Sequence, residues 1–230
     1  VSSDPHLSLP IERLSLADIA TLRLQEDIVR GRLAPGETLT EVALSNRLGV
    51  GRGTIRTALF TLEGNELVIR APYSNWRVAP LNAQVIWEIY TLREALEGLA
   101  ARILAERATE AAAQRLRAAF ARLGPAEAEP LDQRVAADLD LHRAIVELTG
   151  HQHLIHRYAA LSAKMEWLYR WSEEHWPQRY PLEESHRSLV EALLSGSPHQ
   201  AEAAVRQHIA VSLAEDLKGY AGLEARRSAR

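Results

Sequence analysis

The sequence predicts a mainly α protein in two parts: an N-terminal winged helix-turn-helix over residues 10–80 and an all-α six-helix bundle over 81–220. Three observations predict it. Short helical patterns broken by glycine-bearing turns fill residues 16–64. Two short runs of strand type follow, on either side of a turn containing Pro72. From residue 82 onward apolar residues recur at steps of three and four over long stretches, which is helical periodicity without strand alternation.

The elements follow in order. Leu16, Ile19, Ala20, Leu24 and Ile28 form a helical stripe that Gly31 ends. Ala34-Pro35-Gly36 is a turn. Thr40 is the N-cap of a short helix, Glu41 to Leu48, and Gly49-Val50-Gly51 connects it tightly to a third helix from Arg52 to Leu62. Leu67 to Arg70 and Trp76 to Ala79 read as a hairpin around Ala71 to Asn75. Helix, short helix, glycine-bearing turn, helix and hairpin is the order of a winged helix-turn-helix.

Helices are expected over 82–106 (apolar at 85, 89, 92, 96, 99 and 103), 109–122, 131–149, 152–174, 182–195 and 197–218. Thr109 caps the second, and Gly124 to Pro130 is a loop. Ser197-Pro198 opens the last with an N-cap and a proline at the first position.

Composition limits the functions available. Hydrophobic residues make up 47% and charged residues 25%, an ordinary globular balance. No apolar run approaches the ~18 residues that a membrane helix needs, and Val1 to Pro10 lacks the pattern of a signal peptide, so a cytoplasmic protein is expected. With no cysteine, disulfides, cysteine zinc sites and thiol catalysis are excluded. The net charge of −3 argues against a strongly basic nucleic-acid binder. Locally the balance turns positive, with Arg47, Arg52, Arg56, Arg70 and Arg77 against Glu63 and Glu66.

In a helix-turn-helix the recognition helix enters the major groove by its N-terminal end, here Gly51-Arg52-Gly53-Thr54-Ile55-Arg56. Arg52 and Arg56 are four apart and share a face. A guanidinium fork fits both phosphate and the O6/N7 edge of guanine. Gly53 permits close backbone approach, the Thr54 hydroxyl can donate to phosphate, and Ile55 and Leu59 face inward. From Ile28 to Leu59 this stretch resembles the GntR family of bacterial transcription regulators, whose recognition helix usually starts Ser-Arg-Thr-Pro-Val-Arg-Glu-Ala-Leu. Both arginines match, while Gly51, Gly53 and Thr57 depart from the pattern. Asn75 stands where the wing usually has glycine, and asparagine tolerates positive φ. The resemblance, which spans residues 16–79, implies an operator-binding surface of Arg52, Gly53, Thr54, Arg56 and Asn75.

The bundle's inward stripes carry ionisable groups: Asp138 and His142 beside Val135 and Ile145, His186 beside Leu182 and Leu189, and His208 beside Val205 and Ser212. An unpaired buried carboxylate costs several kcal/mol or more, so something must satisfy Asp138. One aspartate with three histidines is a ligand set for a divalent metal; plain hydrogen bonds among core residues would satisfy the same groups. His151, His153 and His156 follow a helix end and are expected to face water.

Asp138-x-x-Leu141-His142-Arg143, Glu184-x-His186-Arg187 and Arg206-x-His208-Ile209 resemble the effector-binding domain of the FadR-type branch of that family, in its shorter, VanR-like form. The resemblance covers about residues 82–215. It implies a metal at Asp138, His142, His186 and His208, with zinc, nickel or manganese as the ion. It also implies that Arg93 faces the ligand cavity and clamps a small carboxylate effector by two hydrogen bonds; the competing role for Arg93 is a helix-surface ion pair with Glu97. The expectation is therefore a homodimeric regulator, acting by repression, that binds a palindromic operator and no membrane. Two rivals stand beside it: a metal-dependent hydrolase that activates water, and a regulator whose metal is purely structural.

Overall fold

A computed structural model describes residues 14–70, 75–107, 109–176 and 181–229. The N-terminal part is built from α1 (Leu16–Val29), β1 (Thr38–Leu39), α2 (Glu41–Leu48), α3 (Arg52–Gly64), β2 (Val68–Arg70) and β3 (Trp76–Val78). Ser15 caps α1 through a reciprocal box with Asp18. Thr40 accepts from the Ala43 amide at the head of α2, and Gly49 (φ 66°) closes that helix in the left-handed conformation the turn into α3 requires. The sheet order is β1-β3-β2, both pairings antiparallel, with Leu39 opposite Trp76 and Val68 opposite Val78. Sequence periodicity finds the hairpin strands and misses β1, because two residues show no alternation. The turn expected at Ala71 to Asn75 lies outside the described residues except for Asn75.

The C-terminal part is α4 (Ala83–Glu106), α5 (Glu110–Phe120), α6 (Leu123–Ala126), α7 (Leu131–Glu147), α8 (Gln152–His175), α9 (Leu182–Leu194) and α10 (Pro198–Ser228). Six long helices form the bundle. The expected 124–130 loop starts within a single helical turn, α6, and α10 runs past the anticipated end at Lys218. One expected stripe is rotated. On α4 the fully or nearly fully buried residues are Ile86, Ile89, Tyr90, Arg93, Glu97, Ala100, Ala101 and Leu104, whereas Leu92 is 49% exposed. A polar pair, Arg93 and Glu97, occupies the inward face, which a pattern of apolar residues alone passes over.

α4 lies along α10, and α7, α8 and α9 complete the bundle around it. The winged helix docks through α1 against α8. At that junction Asp132 accepts from Arg30 of α1 (2.7 Å) and from Arg170 of α8, while Lys164 meets Glu66. Among the described residues no helix is long and apolar enough to cross a membrane.

Candidate functional site

The recognition helix presents the face its sequence implies. Ile55 and Leu59 are fully buried in the small core, while Arg52, Gly53 and Arg56 are exposed, Thr54 is half-buried and Asn75 is exposed on the wing. Arg56 is already engaged: its Nε and Nη2 donate to the two Glu41 oxygens at 2.8 and 2.7 Å, a bidentate pair from α3 to the head of α2. That pair holds the Glu41 carboxyl below its ordinary value.

In the bundle, α7, α9 and α10 bring together the three histidines that sequence singles out, while the fourth expected ligand, Asp138, stands against His186 outside that trio. The ring nitrogens of His142, His186 and His208 offer ligand atoms all within 4.8 Å of one another. His142 Nε2 lies 3.1 Å from His186 Nε2, and His186 Nε2 lies 3.2 Å from Asp138 Oδ1. Each imidazole is oriented by its other nitrogen. His186 Nδ1 donates to the Leu182 carbonyl at 2.7 Å and His208 Nδ1 to the Ser185 carbonyl at 3.1 Å. His142 Nδ1 lies 2.6 Å from Glu97 Oε2. Carbonyls and an ionised carboxylate only accept, so the Nδ1 positions carry the protons. With all three rings neutral the Nε2 lone pairs face one another, and either a cation between them or a second proton on His186, shared with Asp138, relieves the repulsion. Tetrahedral ligands about 2.0–2.1 Å from zinc sit roughly 3.3 Å apart, the spacing the His142–His186 pair already has. An Nδ1–H tied to an oxygen is also the usual way a metal-bound imidazole is fixed. The donor set fits a divalent ion.

The local charges agree. Burial lowers the His142 and His208 imidazoles, with Arg93 adding to the effect, so both are neutral and able to ligate. Burial alone would raise the two carboxyls, but their partners outweigh it. Glu97 is held down to about 2 by Arg93 and His142, and Asp138 lies well below the carboxylate range beside His186.

Arg93 makes the ion pair with Glu97 that was its competing role (2.7 Å), but inside the core, with Arg93 6% exposed, and not on the helix surface. The same arginine lines a cavity of about 500 Å³ together with Asp138, His142, His186 and His208. Arg93 Nη2 is buried and has no hydrogen-bond partner among the described residues. His151, His153 and His156 are exposed, and His151 caps α8 by accepting from the Leu154 amide.

Glu97 and Tyr158 belong to this centre; sequence reasoning placed Glu97 only as a surface partner of Arg93 and gave Tyr158 no role. Glu97, fully buried, accepts from Arg93, Tyr158 (2.8 Å) and His142, joining three helices at one carboxylate. A buried acid four residues after a cavity-facing arginine was the available signal; the partners come from α7 and α8, beyond the reach of local spacing.

A helix-turn-helix with a wing, joined to a helical bundle around a cavity that holds buried histidines and an arginine, defines a DNA-binding transcription regulator. The family models for "Bacterial regulatory proteins, gntR family" and "FCD domain" match residues 16–78 and 88–211, and the chain belongs to the GntR family, in the FadR-type arrangement with a C-terminal FCD domain. It is 29% identical over 201 residues to a probable D-xylose utilization operon transcriptional repressor of Paenarthrobacter nicotinovorans, covering 86% of this chain and 88% of that one. The transcriptional repressor GlaR of Escherichia coli is 26% identical over 202 residues, covering 81% and 89%. Among solved structures, Escherichia coli McbR/YncC superposes with a TM-score of 0.71 at 20% identity, covering 90% of this chain and all of that one, a likeness of fold. The family regulates transcription and is not enzymatic, so the hydrolase alternative falls away.

Proposed function

We propose that this regulator is a homodimeric repressor whose grip on a palindromic operator is released by a small carboxylate bound at a divalent metal. Asp138, His142, His186 and His208 would hold the ion, with zinc the best fit to a set of three imidazoles and a carboxylate and nickel or manganese as the other candidates. Arg93, which lines the cavity and whose Nη2 has no partner among the described residues, would clamp the effector carboxylate. The metal, when bound, supplies positive charge and open coordination positions to that carboxylate. Glu97 fixes the orientation of both the clamp and the His142 ring. The observation that carries this reading is the convergence of three Nε2 lone pairs whose Nδ1 protons are tied to oxygen acceptors.

The operator half rests on Arg52, Gly53, Thr54, Arg56 and Asn75. Arg52 makes no hydrogen bond or ion pair with the described residues and is available to a base edge, while Arg56 is pre-positioned by Glu41. Two wings on a two-fold axis match two half-sites. The exposed Trp87 and Leu92 on α4 offer apolar surface for pairing two copies. An effector acts on this equilibrium only by favouring one arrangement of the paired winged helices.

Elemental analysis of the purified chain should find about one divalent ion per chain, and calorimetry should then show organic acids binding only to the loaded protein. A chain that binds no metal would remove the proposal; metal with no response to any acid would favour the structural-metal alternative. Arg52→Ala should weaken operator binding at least about tenfold, the scale of one lost bidentate base contact, with the dimer intact. Unchanged affinity would show that another surface reads the DNA.

A further inference from the structure

Arg93 and the imidazoles stand at one end of the large cavity and an unpartnered carboxylate, Glu215, about two helical turns away, and we infer that its ligand is a monocarboxylate whose tail donates hydrogen bonds and carries no second negative charge. This rests on the metal-and-carboxylate reading above and extends it to the rest of the ligand.

Among the described residues lining the cavity Arg93 is the one arginine or lysine, and it sits beside the three imidazoles. From there α10 lays His208, Val211, Ser212 and Glu215 along one wall. The step from His208 to Glu215 is seven residues, two helical turns, or about 10 Å at 1.5 Å per residue. A six-carbon acid with a hydrogen bond of about 3 Å at each end spans a similar distance.

Two helical turns from His208 the free group is an acceptor: the Glu215 carboxylate makes no hydrogen bond or ion pair with the described residues. Glu184, another acid lining the cavity, is shared with Arg187 at 3.5 Å. A ligand with a second carboxylate would bring a like charge to Glu215 with no cation among the described lining residues on that side to offset it. A wholly apolar tail would cover Glu215 without replacing its bonds to water. A hydroxyl or an ammonium at that position gives Glu215 a charge-assisted donor, while Leu182, Val211 and the Tyr90 ring cover the carbon chain.

Four acids of six carbons separate these cases by calorimetry on the zinc-loaded full chain: gluconate with a hydroxylated tail, 6-aminohexanoate with an ammonium, hexanoate with a methyl and adipate with a second carboxylate. Gluconate or 6-aminohexanoate should bind at least about tenfold tighter than both hexanoate and adipate, and the better of the two tells hydroxyl from ammonium. Glu215→Gln should narrow the gap to adipate to about threefold or less, and Glu215→Lys should reverse it. Adipate or hexanoate matching the donor-tailed acids in the wild-type chain would overturn the inference and leave the metal-and-carboxylate reading standing. So would a ranking unmoved by Glu215→Lys. No heat from any of the four, with zinc content verified, would overturn both.

Discussion

The winged helix and the bundle bury different chemistry. At the centre of the winged helix Leu24, Ile28, Ile55, Leu59 and Leu62 are all fully buried. Among the described residues there, Asp27 is the one buried ionisable group, and it is met by Arg32 and Arg47 at 2.5 Å each. At the centre of the bundle sit Arg93, Glu97, Asp138, His142 and His186, all buried, with half-buried His208 beside them. Apolar burial, worth about 25 cal/mol per Å², is sufficient to specify a small DNA-reading domain. A charged centre is a poor way to stabilise a bundle, since replacing buried ion pairs by packed apolar groups is often neutral or stabilising. Its presence at the centre of the bundle, where the winged helix has only the Asp27 pair with its arginines, is what supports the proposed small-molecule site there.

The largest effect that tests this contrast is in the apolar half. Leu59→Ala deletes a fully buried side chain between α3 and α1 and should cost about 2–5 kcal/mol. Operator binding should be lost with it. Zinc binding by the bundle should survive, because its ligands come from α7, α9 and α10. Loss of zinc together with the operator would show that the two halves share one cooperative core and break the contrast.

A comparable effect is expected from the metal. A ligand at 100 to 1,000 times its Kd stabilises the folded state by roughly 2.7–4 kcal/mol, so added zinc should raise the melting temperature of the wild-type chain and a chelator should lower it. In His186→Ala both responses should vanish. A melting temperature indifferent to zinc in the wild-type chain would mean that the converging imidazoles satisfy one another as ordinary core residues.

These two tests also mark what the sequence made legible. The winged helix was readable nearly residue by residue, since Thr40, Gly49 and Gly51 punctuate it chemically and Ile55 and Leu59 alternate with Arg52 and Arg56 at helical spacing. The four polar residues of the bundle centre were legible for a different reason: Asp138, His142, His186 and His208 interrupt otherwise apolar stripes. What stayed hidden was everything that depends on which helix packs against which. β1 pairs with β3 across the fold. α4 turns Arg93 and Glu97 inward and leaves Leu92 out. Tyr158 meets Glu97 from a helix 61 residues away. Local periodicity carries no information on such contacts, because they are decided by neighbours and not by the strand or helix itself.

Glu97 sharpens the contrast at an intermediate scale. Glu97→Gln keeps the volume and removes the charge that holds Arg93 and the His142 ring. Glutamine keeps one acceptor oxygen and puts a donor NH2 in place of the other, so either the His142 ring or the Arg93–Tyr158 pair loses its acceptor. Mutation of a partner behind a metal-bound imidazole typically weakens metal affinity 10–100-fold, so zinc affinity by competition with a chromophoric chelator should fall towards that range, with helical content unchanged. Tyr158→Phe removes one of the three hydrogen bonds and should have a smaller effect. Equal zinc affinity in the wild-type chain and Glu97→Gln would make Glu97 a packing residue.

The smallest effect concerns the seam between the halves. Asp132 receives Arg30 from α1 and Arg170 from α8 while remaining half exposed. Exposed ion pairs are worth about 0–1 kcal/mol and weaken with salt, so Asp132→Asn should leave the melting temperature almost unmoved. Its expected consequence is geometric. Releasing Arg30 loosens the one helix of the DNA-reading half that lies on α8, and amide hydrogen exchange at the C-terminal turn of α1 should speed up while exchange around His142 stays constant. If protection around His142 falls as well, the seam and the polar centre form a single unit, and the difference between the two halves is one of composition only.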